Sequence, residues 1–123
     1  MAEPIAYLDG TYVDPSQLTI AINDMGFVMG ATVSERLRTF SGQLFRWEAH
    51  LDRLTHSLEV IGLDLPDHRQ ELAAVASRLV QHNHALLEPT DDLGLCILVT
   101  PGASHHGERK PTVCLYTYPL PFQ

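Results

Sequence analysis

Four side chains that can bind anions or move protons lie close together in the first half of the chain: Glu35, Arg38, His50 and Arg53. His50 and Arg53 are three residues apart in a stretch of helical period, which puts them on one helix face. Glu35 and Arg38 have the same spacing in a strand-like stretch, where an odd spacing directs side chains to opposite faces. A bidentate guanidinium suits an oxyanion better than an ammonium group does. The alternative for Arg53 is a surface arginine whose stem covers apolar neighbours.

Only one lysine is available for chemistry that needs a side-chain amine. Of the 8 lysine and arginine residues, all except Lys110 are arginines. Lys110 ends a polar, glycine-containing segment, 101–110, and stands directly before Pro111. A lysine amine can form a covalent link to a carbonyl compound, so a reaction of that kind has one candidate residue in this sequence.

The histidines and cysteines do not form a pattern that predicts a metal site. His82 and His84 are separated by one residue, and in a helix this spacing directs them to different sides. Cys96 and Cys114 lack the C-x-x-C spacing of zinc sites. Each lies in an apolar run, which is typical of buried thiols in a reducing compartment. We therefore expect no bound metal, and the absence of a nucleophile-elbow motif also disfavours a histidine-dependent hydrolase.

The elements that would position the four charged residues begin with short strands and turns. Asp9-Gly10 between β-forming residues predicts a hairpin, and Ser41-Gly42 predicts a second turn. In chain order, the predicted elements are a hairpin over 5–13, a short strand over 18–22, a loop over 23–32, a strand over 32–40 and a return strand over 43–46.

In the second half of the chain the apolar period changes to that of helices. Apolar residues from Trp47 to Ile61 recur every three or four positions, which predicts a helix that ends near Gly62. Asp67 is a candidate N-cap for a second helix, whose pattern fades over 81–84. Strands predicted over 95–99 and 112–118 fit an antiparallel pair. The fold class predicted from this order of elements is α+β.

Composition and charge narrow the functional classes. The chain has 123 residues, of which 45% are hydrophobic and 19% charged, as expected for one globular domain. Its formal net charge of −7 disfavours binding to nucleic acid, which requires a basic face. The sequence shows no secretory signal and no apolar run near the ~18 residues that span a bilayer. We therefore expect a cytoplasmic protein that binds neither nucleic acid nor membrane.

One ordered set of short motifs lies between residues 24 and 63. In sequence order it comprises Asp24-Met25-Gly26-Phe27, Gly30, Glu35 with Arg38, Gly42-x-Leu44-Phe45, His50-x-x-Arg53-Leu54, Ser57 and Gly62-Leu63. This set resembles the N-terminal domain of the class IV aminotransferases, which are fold-type IV pyridoxal-phosphate enzymes. The family includes branched-chain and D-amino-acid aminotransferases and aminodeoxychorismate lyase.

The resemblance implies a fold, a cofactor and roles for individual residues. It implies a small two-layer domain over 1–118, with a mostly antiparallel sheet and two main helices, and an interdomain linker that starts at 119–123. The implied cofactor is pyridoxal 5'-phosphate, with Arg53 on its phosphate and His50 nearby as a motif marker. Arg38 and Glu35 are implied as substrate-site residues. The implied substrates are an amino acid and a 2-oxo acid, exchanged by a branched-chain-like enzyme that is a homodimer.

The resemblance also implies that this chain lacks part of the active site. In the family, the lysine that holds the cofactor covalently belongs to a second, larger domain beyond the linker. Lys110 lies in a loop of the first domain and is not expected to replace it. We therefore assign no catalytic residue and expect the chain alone to be inactive, whether it is a shortened protein, a cleavage product or a natural short protein.

Departures from the family pattern leave the substrate and some roles open. Met25 stands where the family commonly has arginine, and Ser34 stands where an aromatic residue lines the substrate pocket. The segment 101–110 corresponds to a loop that binds carboxylates in some members, and its candidates here are His105, His106 and Arg109. The alternative for these three residues is a solvated loop. The alternative for Glu35 and Arg38 is a sheet charge that is paired across a neighbouring strand. The alternative for Gly26 and Gly30 is that they are ordinary loop glycines.

Two other functions therefore remain open for the chain as a whole. One is a fragment of an enzyme like aminodeoxychorismate lyase. The other is a stand-alone interaction or dimerisation domain, because an apolar patch left by a missing domain would favour self-association. The two classes differ in a simple test: an enzyme portion should recover cofactor chemistry when the missing domain is supplied, whereas an interaction domain should bind its partner without it.

Overall fold

The computed structural model describes residues 3–65, 68–105 and 108–120, with 104–105 and 108–109 described by their backbone only. Its N-terminal half contains β1 (Ala6–Leu8), β2 (Thr11–Val13), a 3-10 turn (Pro15–Gln17), α1 (Met25–Val28), β3 (Val33–Phe40) and β4 (Gln43–Leu44). Its C-terminal half contains α2 (Trp47–Val60), α3 (His68–His84), β5 (Leu93–Thr100), β6 (Ser104–His105), β7 (Glu108–Arg109) and β8 (Thr112–Pro119).

Six strands form one antiparallel sheet in the order β2-β1-β8-β5-β3-β4. The two long central strands, β5 and β8, pair over their full lengths, from Leu93 opposite Pro119 to Thr100 opposite Thr112. β3 pairs with β5 from Val33 to Arg38. These three strands therefore form a rigid platform, and the short strands lie at its margins.

The helices α2 and α3 cover one face of the sheet because their apolar stripes match the alternation of the strands. Val33 and Leu37 of β3 point toward the helices, while Ser34 and Arg36 point away from them. On the helix side the core is completed by Leu51, Leu54, Leu58, Leu72, Val75, Ala76 and Leu79. The result is a two-layer α+β domain, as the sequence predicted, with one sheet face covered and the other open.

The glycine that ends α2 acts as predicted. Gly62 adopts a left-handed φ of 72°, which its lack of a Cβ permits. Its N–H binds the carbonyl of Glu59, and the Leu63 N–H binds the carbonyl of Leu58. This is the Schellman arrangement, which satisfies carbonyl groups that would otherwise lack partners at the helix end.

Several predicted elements are confirmed, and two predictions concern residues outside the described ranges. The Asp9-Gly10 hairpin, both main helices and the antiparallel pair of β5 and β8 are present. Asp67, the candidate N-cap, and residues 121–123 of the expected linker are not described. Pro119 ends β8, so the domain boundary at 118 and the linker remain predictions. No described helix is long and apolar enough to cross a membrane.

The segment between β2 and β3 differs from its prediction. Residues 18–22 form no strand, and Ile20 and Ile22 are 45% and 78% exposed, because the described sheet offers them no partner strand. The predicted loop over 23–32 contains the short helix α1, whose N-cap Asp24 accepts a hydrogen bond from the Gly26 N–H. The hydrogen bond at the Asp24 N-cap stabilises a helical turn in a segment whose sequence pattern favoured only a loop.

Three further boundaries also differ. The return strand ends at Leu44 rather than residue 46, because Arg46 adopts a left-handed conformation as the N-cap residue of α2. α3 continues to His84 instead of fading at 81, since Asn83 is buried and hydrogen-bonds Thr117 and the backbone of Ile5. The predicted loop over 101–110 contains the two-residue pairing of β6 with β7.

Candidate functional site

A buried carboxylate lies between the sheet and α2. Glu35 points to the covered face from the middle of β3 and is 4% exposed. Arg53 donates to both of its oxygens, from Nε to Oε2 at 2.8 Å and from Nη2 to Oε1 at 2.9 Å. Nδ1 of His50 lies 2.8 Å from Oε1. Glu35 therefore joins the two helix residues into one hydrogen-bonded cluster.

The spacing of α2 creates this cluster. His50 and Arg53 are three residues apart and so lie on one face, as the sequence predicted. The buried side chains of Leu51 and Leu54 hold the helix on the sheet beside them. Both partners of Glu35 belong to α2 and not to a neighbouring strand. The alternative of cross-strand pairing therefore does not apply to Glu35. Its partners come from the helix layer.

The cluster keeps Glu35 ionised. Burial acts to raise the pKa of Glu35, but the hydrogen bonds from Arg53 and His50 outweigh it, and the pKa is lowered below its ordinary value. The same carboxylate raises the pKa of Arg53. Both members of the pair are therefore charged, and the guanidinium plane of Arg53 is held by two bonds.

The outer edge of Arg53 faces a basic cleft. The Arg53 side chain is 66% exposed although it is bonded to Glu35. Two of its five N–H groups bind Glu35, which leaves three for another ligand. A cleft of about 250 Å³ is lined by Arg46, Ala49, His50 and Arg53. Because these residues belong to the N-terminal part of α2, the positive end of the helix dipole adds to the charge of the cleft.

Arg38 lies on the opposite face of the sheet, as its odd spacing from Glu35 predicted. Its Nη2 lies 3.5 Å from Oδ2 of Asp92, and its guanidinium carbon lies 3.9 Å from the centre of the Phe40 ring. A hydrogen bond from the Thr39 hydroxyl lowers the pKa of Asp92, which is therefore ionised. The charge of Arg38 is thus already paired, which fits the alternative of a sheet charge satisfied by a neighbour. Its substrate role remains a prediction.

Two arginines absent from the sequence candidates have conspicuous positions. Arg46 lines the basic cleft from its left-handed position at the start of α2. Arg36 lies on the open face, exposed, with its guanidinium carbon 5.6 Å from the centre of the Tyr118 ring. Alternation from Glu35 would have placed Arg36 on that face, but the sequence does not show that Tyr118 lies beside it.

The glycines before β3 are used in two different ways. A Cβ added at Gly26 would lie 2.4 Å from the side chain of Thr100, so α1 approaches the sheet too closely for a larger residue. Gly30 has a left-handed φ of 68°. Oδ2 of Asp24 accepts a hydrogen bond from Thr112 and ties α1 to β8.

Beside α1, an apolar cleft of about 230 Å³ is lined on the open face by Leu98 and Cys114, with Ile20 and Phe27 above them.

The remaining candidates whose side chains the structure describes lie apart from this cluster. Nε2 of His82 contacts the Glu3 carbonyl and Nε2 of His84 contacts that of Asp91, so the two histidines do not converge. Lys110 lines another cleft, together with Tyr7 and Glu71. His106 and the side chains of His105 and Arg109 are outside the described residues. Within the described part of the chain, no group of three metal-ligating side chains forms.

The two cysteines lie on the open face of the sheet but are shielded from solvent. Cys96 and Cys114 are free and buried, as the sequence predicted. Burial raises the pKa of the Cys114 thiol to about 11, so the thiol is protonated at neutral pH. Cys114 is therefore not a ready nucleophile.

Comparisons with known proteins point to one family. The family model for amino-transferase class IV matches residues 32–123. D-alanine aminotransferase of Staphylococcus aureus (strain N315) is 36% identical over 106 residues, which cover 86% of this chain and 36% of that protein. A putative branched-chain-amino-acid aminotransferase of Methanocaldococcus jannaschii is 28% identical over 120 residues, which cover 94% of this chain and 40% of that protein.

Solved structures agree with the sequence comparisons. A hypothetical aminotransferase from Mycobacterium tuberculosis in its PLP-bound form is 28% identical with a TM-score of 0.81, covering 95% of this chain and 40% of that one. A second structure of a hypothetical aminotransferase from that organism, described as the alpha-ketoglutarate and PMP bound form, has a TM-score of 0.80. The chain therefore spans well under half the length of these relatives. With the family model matching most of its length, the chain belongs to the class IV aminotransferases.

Proposed function

We propose that this chain provides the phosphate-binding portion of the cofactor site in a pyridoxal-phosphate-dependent amino-acid aminotransferase. The observation that carries the proposal is the basic cleft at the start of α2, where Arg53 is held in place by a buried carboxylate. Relatives named D-alanine and branched-chain aminotransferase, and a relative solved in a PLP-bound form, support the reaction class.

The residues of the cleft fit a phosphorylated cofactor. A phosphate dianion needs several N–H donors and positive charge, and Arg53, Arg46 and His50 line one open space. Glu35 neutralises part of that charge, but it is buried beneath Arg53 and its oxygens are occupied by hydrogen bonds. The exposed side of the cleft is therefore the basic side, which is the side a phosphate would meet.

Each residue of the cluster then has a distinct task. Bound pyridoxal phosphate would supply the electron sink on which amino-group transfer depends. Arg53 would bind its phosphate, and Glu35 would hold the Arg53 guanidinium in one orientation, so that little side-chain freedom is lost on binding. His50 would support the same carboxylate from the adjacent helix turn. Arg46 would add a second positive charge at the rim.

The covalent and catalytic steps require residues that this chain does not provide. Lys110 lines a cleft with Tyr7 and Glu71 rather than the basic cleft, so we assign the cofactor-binding lysine to a further segment. On this proposal the chain alone is inactive, and the complete enzyme is a cytoplasmic homodimer.

The apolar cleft beside α1 supports a branched-chain-like substrate, because Leu98 and Phe27 would contact an aliphatic side chain.

The phosphate role can be tested on this chain with a matched pair of ligands. Pyridoxamine 5'-phosphate and pyridoxamine differ only in the phosphate, and neither carries an aldehyde that would react with Lys110. Trp47, the single tryptophan, directly follows Arg46 and provides a fluorescence signal. We expect the phosphorylated ligand to bind at least about 10-fold more tightly, as for a charge-assisted contact of 1.5–3 kcal/mol.

Two variants complete the phosphate test. Arg53→Gln should abolish most of the preference for the phosphorylated ligand, whereas Arg78→Gln should retain it. Arg78 is a suitable control because it is a helix arginine that stacks on Tyr12 and does not line the basic cleft. Equal affinity of the parent chain for both ligands would show that the cleft is not a phosphate site.

A further inference from the structure

The open face of the sheet carries a cationic and aromatic cluster that the phosphate site does not use. Register places Cys96 opposite both Arg36 and Tyr116, and places Gly94 opposite Tyr118. All of these residues lie on the face that α2 and α3 leave uncovered. Arg36 is the exposed member of the set, while Cys96 is fully buried beneath its neighbours.

Gly94 determines where Tyr118 lies. A Cβ added at Gly94 would lie 2.2 Å from Cζ of Tyr118 and 2.6 Å from its hydroxyl oxygen, so the ring occupies the space that any side chain at position 94 would need. From there the ring reaches the Arg36 guanidinium, whose carbon is 5.6 Å from the ring centre. The Tyr118 hydroxyl and, more weakly, Cys96 and Tyr116 raise the pKa of Arg36.

Arg36 differs from its strand neighbour Arg38 and from Arg53 in having no carboxylate partner among the described side chains. Arg53 is paired with Glu35, and Arg38 is paired with Asp92. Arg36 instead rests against a phenol ring, which orients a guanidinium without neutralising its charge. Its N–H donors and the nearby phenol hydroxyl groups form a set suited to a carboxylate.

The same strand links this cluster to the basic cleft. Glu35 and Arg36 are consecutive strand residues, so their side chains lie on opposite faces of the sheet. Glu35 contacts Arg53 on the covered face, and Arg36 lies on the open face. β4 pairs with β3 only at Thr39 and Phe40, which leaves the edge of β3 beside Glu35 and Arg36 without a strand partner in the described ladders. A ligand anchored at Arg53 would therefore meet the open face across this free edge.

We propose that Arg36, oriented by Tyr118, binds the distal carboxylate of a dicarboxylic 2-oxo acid or amino-acid substrate. This inference rests on the proposed function, because it names the substrate class of that enzyme. The relative that was solved with alpha-ketoglutarate bound shows that a dicarboxylate is accepted elsewhere among similar proteins. Arg36 would thus determine specificity for the charged substrate, next to the apolar cleft that contains Leu98.

The test compares two 2-oxo acids of the same shape and different charge. 2-Oxoglutarate ends in a carboxylate, and 5-methyl-2-oxohexanoate ends in an isopropyl group of similar size. In the complete enzyme we would measure equilibrium affinity by calorimetry and kcat/KM for both acids. Arg36→Gln should reduce the preference for 2-oxoglutarate about 10- to 100-fold in both measurements, since it removes a charge-assisted contact.

Three further variants distinguish specificity from stability. Arg36→Lys should restore part of the preference, and Tyr118→Phe should reduce it only a few-fold, because the ring remains. Arg78→Gln is the control and should leave both acids unaffected. If Arg36→Gln prefers 2-oxoglutarate as strongly as the parent enzyme does, the proposal is overturned. It is also overturned if the parent enzyme does not prefer 2-oxoglutarate over 5-methyl-2-oxohexanoate.

The ligand pair used for the phosphate test separates the two proposals. If Arg36→Gln retains tight binding of pyridoxamine 5'-phosphate while its preference among 2-oxo acids is unchanged, the carboxylate site is wrong and the phosphate site stands. If the parent chain shows no preference for the phosphorylated ligand, the proposed function fails, and the carboxylate site fails with it.

Discussion

The two faces of the sheet treat charge in opposite ways. On the covered face, Glu35 is buried and its oxygens are bonded to Arg53 and His50. On the open face, Arg36 is exposed and rests on Tyr118 with no described carboxylate partner. A buried charge needs a partner because its removal from water costs free energy. An exposed charge remains hydrated and is available to a ligand. Under the two proposals, the covered face would orient the cofactor contact and the open face would select substrates.

The pairing on the covered face leads to a stability prediction for Arg53. The sequence offered a surface arginine as the alternative for this residue, and such an arginine could be removed with little effect on folding. In the structure Arg53 is the bidentate partner of Glu35, whose side chain is 3% exposed. Its removal leaves Glu35 with His50 alone, so Arg53→Ala should lower the melting temperature as well as weaken ligand binding. Ligand affinities of Arg53 variants must therefore be measured well below their melting temperatures.

The largest expected effect comes from truncating a leucine on the covered face. Leu95 and Leu98 lie on the same strand, but Leu95 is fully buried under the helices and Leu98 lies on the open face. Leu95→Ala should lower the free energy of unfolding by about 2–5 kcal/mol, the usual range for a core cavity. Leu98→Ala should cost clearly less. Urea denaturation of both variants measures the difference, and equal losses would show that the open face is as tightly packed as the core.

An intermediate effect is expected where the open face is closely packed. Gly94→Val suits the strand conformation but places its side chain in the volume of the Tyr118 ring. We expect a loss of about 1–3 kcal/mol in the free energy of unfolding, as for overpacked sites. Tyr118→Ala in the same chain should recover part of that loss. A double variant no more stable than Gly94→Val would exclude the ring as the cause.

The smallest expected effect is the pH dependence that Glu35 confers. Its pKa is lowered in the folded state, so its contribution to stability is present above the unfolded value, near 4.5, and is lost as the pH falls through the folded pKa. Glu35→Gln should therefore flatten the curve of unfolding free energy against pH in this acidic range, relative to the parent chain. Chemical denaturation from pH 7 to pH 3 provides the curves. Parallel curves would mean that folding does not lower the pKa of Glu35.

Much of the fold could be predicted from local patterns in the sequence. The Asp9-Gly10 turn, the apolar stripe of α2 and its end at Gly62 depend on neighbouring residues, and each was identified correctly. The segment at 18–22 was not, because its β-forming residues have no described partner strand. Strand formation depends on pairing with distant residues, which a local pattern cannot supply.

The candidate site was predictable to a similar extent. The motif around His50 and Arg53 was found because helical spacing places the two residues together. Their common partner Glu35 was identified as a candidate but not as the residue that joins them, since it lies on another element. Arg46 and Arg36 were missed because nothing near them in sequence distinguishes them from surface arginines.

The sequence by itself determined the family, the α+β class and the alternation that puts Glu35 and Arg36 on opposite faces of one strand. These properties follow from residue order and from the periods of helices and strands, which are local. Only the tertiary structure decided which face the helices cover, that Glu35 is paired with Arg53, and that Tyr118 lies over Gly94 beside Arg36. Those contacts join residues far apart in the chain, and they depend on the sheet register and on the packing of α2, which no single segment specifies.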